Sequence, residues 1–122
     1  LPSEEDIFLH HKYVNDNAEI GIMTYNNYWV MPGIREISRS LMERYIGLEN
    51  LVGIKWISAT ESHYIGMLRL FKNEFNFIDN RMSMASGARN GMKGFVDFFW
   101  LKVEYFLQHL GKFNNTQLIF IK

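Results

Sequence analysis

The chain has 122 residues, enough for one domain with a modest core and too few for a large multidomain architecture. Its 13 basic residues balance its 13 acidic residues, so the charge gives no support for nucleic acid or an anionic membrane as a partner. The absence of cysteine excludes disulfides, iron–sulfur clusters and thiolate zinc sites, and no apolar stretch is long enough to cross a bilayer.

The first part of the chain predicts a helix, a strand and a second helix. Ser3 can cap a helix over residues 4–16. The apolar run over residues 20–25 predicts a strand, and a loop over residues 26–32 follows it. The Pro32-Gly33 pair opens the next helix. The apolar face of that helix consists of Ile34, Ile37, Leu41, Met42 and Tyr45.

The rest of the chain continues this alternation. The predicted strands cover residues 51–56, 75–78 and 91–96, and the predicted helices cover residues 61–72, 82–89 and 99–110. Such alternation is typical of parallel strands joined by right-handed helical crossovers. No Walker-type loop and no GxGxxG follows a strand, so nucleotide-binding α/β folds lose support. An open α/β sheet that binds a small ligand at its strand ends remains an alternative.

Tyr25 and Lys55 lie at the carboxyl ends of the first two predicted strands. Alternation places Tyr25 on one face with Met23, and Lys55 on one face with Gly53. The opposite face is expected to carry Ile20, Ile22, Thr24, Val52, Ile54 and Trp56. In a barrel the helices would cover that apolar face. Tyr25 and Lys55 would then look into the interior at the end where barrel active sites lie.

Each of these two side chains has an ordinary structural interpretation and a chemical one. A strand-end lysine can simply extend its amine to water, and a lone tyrosine is most often a core residue with a satisfied hydroxyl. A neutral lysine amine can instead attack a carbonyl to give a Schiff base, and a neighbouring tyrosine can relay the protons that this chemistry moves. The pairing of Tyr25 with Lys55 favours the chemical interpretation.

Three motifs carry a resemblance to a known family. They are Ile-Met-Thr-Tyr-Asn-Asn at residues 22–27, Asn-Leu-Val-Gly-Ile-Lys at 50–55 and Gly-Met-Lys-Gly-Phe at 91–95. On these residues the chain resembles the dihydrodipicolinate synthase / N-acetylneuraminate lyase family of class I pyruvate-dependent aldolases. The likeness implies a partial (β/α)8 TIM barrel of about four βα units, equivalent to strands five to eight. Residues 1–97 would form this C-terminal half, and residues 98–122 a helix and a divergent tail.

The same resemblance implies an activity and a set of site residues. Lys55 would form the Schiff base with pyruvate or another 2-oxo acid, and Tyr25 would act as acid and base. Asn26, Ile78 and Asp79 would contact substrate, with Ile78 narrowing the pocket. The iminium itself would serve as the electron sink, so no metal and no organic cofactor is expected. A metal is also disfavoured because the adjacent His10 and His11 point in different directions on a helix.

The sequence also departs from the family pattern. Val30 lies near the place where synthase members carry an arginine that grips a dicarboxylate substrate, and the carboxylate-binding loop of the first barrel half is absent. The alternative is therefore a non-catalytic half-barrel that needs a partner half or self-association to cover its open edges. Because the chain opens on a helix start, we expect it to be part of a longer protein.

The expected partners and location follow from these interpretations. The small-molecule partners would be a 2-oxo acid and an aldehyde. The macromolecular partner would be another copy of the chain or a missing barrel half, with no nucleic acid and no membrane. The acidic first residues do not form a secretory signal, so the expected location is the cytoplasm.

Overall fold

The computed structural model describes residues 2–30, 36–80 and 84–96. Its helices and strands, in chain order, are α1 (Glu4–Asn17), β1 (Ile22–Asn27), α2 (Arg39–Tyr45), β2 (Leu51–Ile57), α3 (Glu61–Phe71), β3 (Asn76–Asn80), α4 (Met84–Asn90) and β4 (Gly94–Val96). The strands form one sheet in the order β1-β2-β3-β4, and every neighbouring pair is parallel. This confirms the predicted α/β class, and the arrangement is that of consecutive βα units of a (β/α)8 barrel.

The packed core lies on one face of the sheet, here called the core face. Ile54, Trp56, Phe77 and Phe95 point to this face, and α2 and α3 supply its largest helical side chains. Right-handed crossovers between neighbouring parallel strands place their helices on a single side, which explains why one face is covered in this way. The buried helical residues of the core are Leu41, Met42, Tyr45, Tyr64, Met67, Leu68 and Phe71.

The opposite face, here called the lysine face, is defined by the strand register. Tyr25 pairs with Lys55, Lys55 with Ile78, and Ile78 with Gly94, so these four residues form one row across the sheet. Because alternate residues of a strand share a face, Asn80 belongs to the lysine face too. The four-residue row is the part of the fold that positions the candidate site.

A β-bulge in β2 sets this row in register. Ile22 pairs with Leu51 but Met23 pairs with Gly53, so Val52 is an extra residue in β2. The prediction that Val52 lies on the helix-covered face is wrong: its side chain is 46% exposed. The bulge allows Leu51 and Ile54 both to reach the core, although they are three residues apart.

The start of α2 differs from the prediction that placed a helix opening at residues 32–33. The helix begins at Arg39, and the Ser38 side chain caps it by accepting from the Leu41 N–H at 3.1 Å. Ile37 therefore precedes the helix, and its N–H donates to Asn26 Oδ1 at 2.7 Å. A polar contact to the end of β1 thus delays the helix. Pro32 and Ile34 lie outside the described residues.

The observed strand boundaries differ from the predicted ones by one to three residues. The first strand continues to Asn27, and the third continues through Asp79 to Asn80, because polar residues at these ends still pair with their neighbours. The fourth strand begins at Gly94, not at residue 91, since Gly91 has a φ of 106° and ends α4. The predicted helix over 99–110 and the predicted boundary after residue 97 lie outside the described residues.

Candidate active site

Tyr25 and Lys55 meet at the carboxyl end of the sheet, as predicted. They are register partners on β1 and β2, and Lys55 Nζ lies 4.2 Å from the centroid of the Tyr25 ring. This is a cation–π distance, and it brings the amine and the phenol of one proposed reaction into direct contact. Lys55 is partly buried, whereas Tyr25 is 39% exposed, so both can be approached from the lysine face.

Tyr25 holds its proton at neutral pH, and partial burial strengthens this state. Desolvation raises the pKa of its hydroxyl above the ordinary value of 10.0. The phenol is therefore protonated near neutral pH and is a proton donor. The side-chain amide of Asn80 donates a hydrogen bond to the phenol oxygen.

Ile78 is the third predicted site residue that the structure brings to this place. It occupies the row next to Lys55 and is buried. Gly94 follows it in the row, on β4. One apolar side chain and one glycine thus lie beside the lysine in the row, and the narrowing of a substrate pocket by Ile78 stays a prediction.

Asn26 lies on the core face, away from Tyr25 and Lys55. Its Nδ2 donates to the Ile57 carbonyl at 2.8 Å and to the Glu36 carboxylate at 3.1 Å, and its Oδ1 accepts from a backbone N–H. These bonds occupy the amide and hold the segment that enters α2. The structure therefore places Asn26 in a supporting position and does not bring it into the Tyr25–Lys55 site.

Asp79 also points to the core face, because it is the register partner of Trp56 and Phe95. Its side chain is 0% exposed and hydrogen-bonds with Tyr64, whose pKa is raised by burial and by this carboxylate. Asp79 thus lies beneath α3 and α4, and the structure does not place it with the other predicted site residues.

Glu36 is a residue that the sequence interpretation missed. Its carboxylate accepts from the Ala59 N–H at 3.0 Å and from the Ser58 hydroxyl, and it lies 3.5 Å from His63 Nε2. It joins the entry of α2 to the loop after β2, at the carboxyl end where the site lies. In the sequence Glu36 lies within the helix predicted to open at residues 32–33, where a charged residue is most simply interpreted as part of the solvent-exposed face.

His11 occupies a second polar position on the core side of β1. Its ring nitrogens bond the Ile7 carbonyl at 2.8 Å and the Thr24 hydroxyl at 2.7 Å, and burial lowers its pKa. It lines a cavity of about 440 Å³ between α1, β1 and α2. Tyr25 also lines this cavity, but Lys55 does not, so the cavity is not where the amine would meet a substrate.

The described residues contain no group of three or more histidine, aspartate or glutamate side chains arranged to hold a metal ion. Over the same residues, no helix has the length and apolarity needed to cross a membrane.

One curated relative shares part of this sequence. A 60-residue stretch is 45% identical to the 4-hydroxy-tetrahydrodipicolinate synthase of Parvibaculum lavamentivorans, covering 48% of this chain and 19% of that enzyme. The chain thus matches about a fifth of the length of its relative. No protein-family model and no solved structure matches the chain. The similarity supports a resemblance to the dihydrodipicolinate synthase family.

Proposed function

We propose that this chain carries the Schiff-base residues of a class I lyase or aldolase that acts on pyruvate or another 2-oxo acid. The observation that carries the proposal is the placement of Lys55 Nζ against the Tyr25 ring at the carboxyl end of a parallel sheet. The partial likeness to 4-hydroxy-tetrahydrodipicolinate synthase supports the same chemistry.

In this mechanism the neutral Lys55 amine adds to the ketone carbon and forms a carbinolamine. Tyr25, protonated near neutral pH, gives a proton to the leaving hydroxyl, and water departs to leave an iminium. The Tyr25 oxygen, now without its proton, takes a proton from the neighbouring carbon to give an enamine, which attacks the carbon of an aldehyde. The aldehyde oxygen takes that proton from Tyr25, and water hydrolyses the resulting iminium to release the product and free Lys55. The reverse sequence cleaves the same bond. The electron-rich face of the Tyr25 ring would lie beside the positive iminium.

A second candidate is the non-catalytic half-barrel, and one observation favours it. Among the described residues, β1 pairs only with β2, and Met23 on its lysine face is 52% exposed. A sheet that ends this way needs cover from another chain or another segment. In that case the Tyr25–Lys55 geometry would be present without turnover.

The test is the intact mass of the chain after incubation with pyruvate and borohydride, which reduces an iminium to a stable amine. We expect a single adduct on the wild-type chain and none on Lys55→Ala. The matched control is Lys12→Ala, which removes an exposed lysine that pairs with Asp16 and should keep the adduct. Tyr25→Phe should slow adduct formation roughly a hundredfold or more, because it removes general acid–base catalysis.

The result that would overturn the proposal is a well-folded wild-type chain with no adduct, or an adduct that persists in Lys55→Ala. The first outcome would leave the half-barrel as the better account of the chain. The second would show that a different lysine reacts with pyruvate.

A further inference from the structure

Asn80 is a buried amide whose hydrogen bonding is only half satisfied. Its side chain is 1% exposed at the end of β3, and its Nδ2 donates to the Tyr25 hydroxyl oxygen. Its Oδ1 is buried and has no hydrogen-bond partner among the residues that the structure describes. An unsatisfied buried carbonyl costs stability, so an asparagine at this position needs a reason other than folding.

The contact between Asn80 and Tyr25 spans the strand that carries the lysine. Tyr25 belongs to β1 and Asn80 to β3, with Lys55 on the intervening β2. The phenol therefore extends over β2, and its oxygen ends at the Asn80 amide while its ring contacts Lys55 Nζ. Fixing the oxygen at Asn80 fixes the position of the ring beside the amine.

We infer that Asn80 is a positioning residue that orients the Tyr25 hydroxyl for proton transfer at Lys55. Its amide N–H engages a lone pair of the phenol oxygen, which leaves the hydroxyl proton free to point away from Asn80. The same donor stabilises the tyrosinate that forms once the proton has been given up. This inference rests on the proposed function, because only Schiff-base chemistry requires Tyr25 to exchange a proton.

The first test measures the ionisation of Tyr25 by NMR in a chain labelled with ¹³C at the tyrosine ζ carbon. The chain has six tyrosines, and the signal that disappears in Tyr25→Phe identifies the one of interest. Asn80→Leu removes the donor while keeping the number and branching of the side-chain heavy atoms. It should raise the Tyr25 pKa by about one unit, since a hydrogen bond to a charged group has that strength.

The matched control is Asn76→Leu. Asn76 lies on the same strand and face as Asn80 but at the other end, where its Nδ2 donates to the Val52 carbonyl at 2.9 Å. This variant should leave the Tyr25 titration unchanged. A folded Asn80→Leu chain with an unchanged or lowered Tyr25 pKa would overturn the inference.

A second measurement does not depend on the folding of an Asn80 variant. Tyr25→Phe removes only one hydroxyl from a partly exposed ring, and it should shift the side-chain amide proton of Asn80 in a ¹H–¹⁵N spectrum. An Asn80 amide signal that does not respond to Tyr25→Phe would contradict the hydrogen bond itself.

Trapping with pyruvate and borohydride separates this inference from the function on which it rests. We expect Asn80→Leu to form the adduct roughly tenfold more slowly than the wild type, equivalent to one lost hydrogen bond. If the Tyr25 pKa rises in Asn80→Leu but the wild type forms no adduct, Asn80 still positions the Tyr25 hydroxyl and the proposed function is wrong. If the adduct forms at the wild-type rate in Asn80→Leu, the function stands and the positioning is overturned.

Discussion

His11 shows how a single side chain makes the stability of this fold depend on pH. It is held between the Ile7 carbonyl and the Thr24 hydroxyl, and desolvation lowers its pKa below the ordinary value of 6.5. As the pH falls, the unfolded chain therefore takes up the proton before the folded chain does. The contribution of His11 to stability is complete above about pH 6.5 and declines as the pH falls toward the lowered pKa of the folded state.

We expect the urea midpoint of the wild-type chain to fall between pH 7.5 and pH 5.5 by more than that of His11→Gln, because the variant has no group that titrates at this position. Urea denaturation followed by circular dichroism at both pH values measures this. His10→Gln is the comparison: exposed His10 adds only a smaller electrostatic contribution to the lowered pKa of His11, so this variant should keep most of the wild-type pH dependence. A His11→Gln chain with the full wild-type pH dependence would disprove the assignment.

Only some residues of the candidate site could be predicted from the sequence. Tyr25 and Lys55 were recognisable because each is a reactive side chain at the end of an apolar run. Asn80 was missed because two polar residues after an apolar run resemble a strand that has already ended. The alternation of side chains along a strand was the signal available in the sequence. Asn80 follows Ile78 by two residues, so the two side chains share a face. The family resemblance implies that Asp79 belongs to the site, whereas alternation from Ile78 places it on the core face.

At the scale of elements, α3 and α4 contain two glycines with opposite requirements. Gly87 of α4 is buried where a Cβ would lie 2.7 Å from Met92 Sδ and 2.9 Å from the Tyr64 hydroxyl. Gly66 of α3 is exposed, and a Cβ there would meet no atom within 4 Å. The first glycine permits α4 to pack closely, and the second only increases the freedom of the unfolded chain.

We expect Gly87→Ala to lower the free energy of unfolding by about 1–3 kcal/mol through overpacking. The matched change Gly66→Ala should raise it by about 0.5–1 kcal/mol, because alanine is the better residue inside an exposed helix. Chemical denaturation of the two variants beside the wild type tests both. Equal effects of the two substitutions would mean that α4 does not pack against Tyr64 as described.

The elements themselves were predictable to different degrees. The first helix and the second strand followed from a Ser3 cap and an apolar run, and both boundaries were correct within one residue. The start of α2 was not predictable from its own residues, because it depends on the contact between the Asn26 amide and the Ile37 N–H. This long-range hydrogen bond holds Ile37 just before the helix, at a position that the local sequence predicts to be helical.

At the scale of the whole molecule, the sheet has two sides that differ in cover. Among the described residues, helices pack on the core face, whereas the lysine face buries Ile78 and Asn80 but exposes Met23 and Tyr25 on β1, an edge strand that is paired on one side. The formal net charge is zero at pH 7, so electrostatic repulsion opposes association only weakly. These properties together favour contact between copies of the chain.

We expect sedimentation velocity to give a mass above the 14.5 kDa of the monomer, with the excess decreasing as the protein is diluted. Met23→Lys should move the distribution toward the monomer, because it places a charge on the exposed part of the lysine face. Leu70→Lys is the control: Leu70 is similarly exposed, at 54%, but lies on α3. A monomer at all concentrations, or equal effects of the two lysines, would contradict association through this face.

The bulge at Val52 determines which mutations β2 tolerates: substitution at this position differs from deletion. Lys55 pairs with Tyr25 because β2 contains one more residue than β1 between the Ile22–Leu51 pair and this pair. Substitution at Val52 leaves that count intact, so many side chains are acceptable at this half-exposed position. Removal of the residue would turn the lysine toward the other side of the sheet or pull Leu51 out of the core. The geometry of the candidate site is thus tied to the length of a short segment and not to the identity of the residue that provides it.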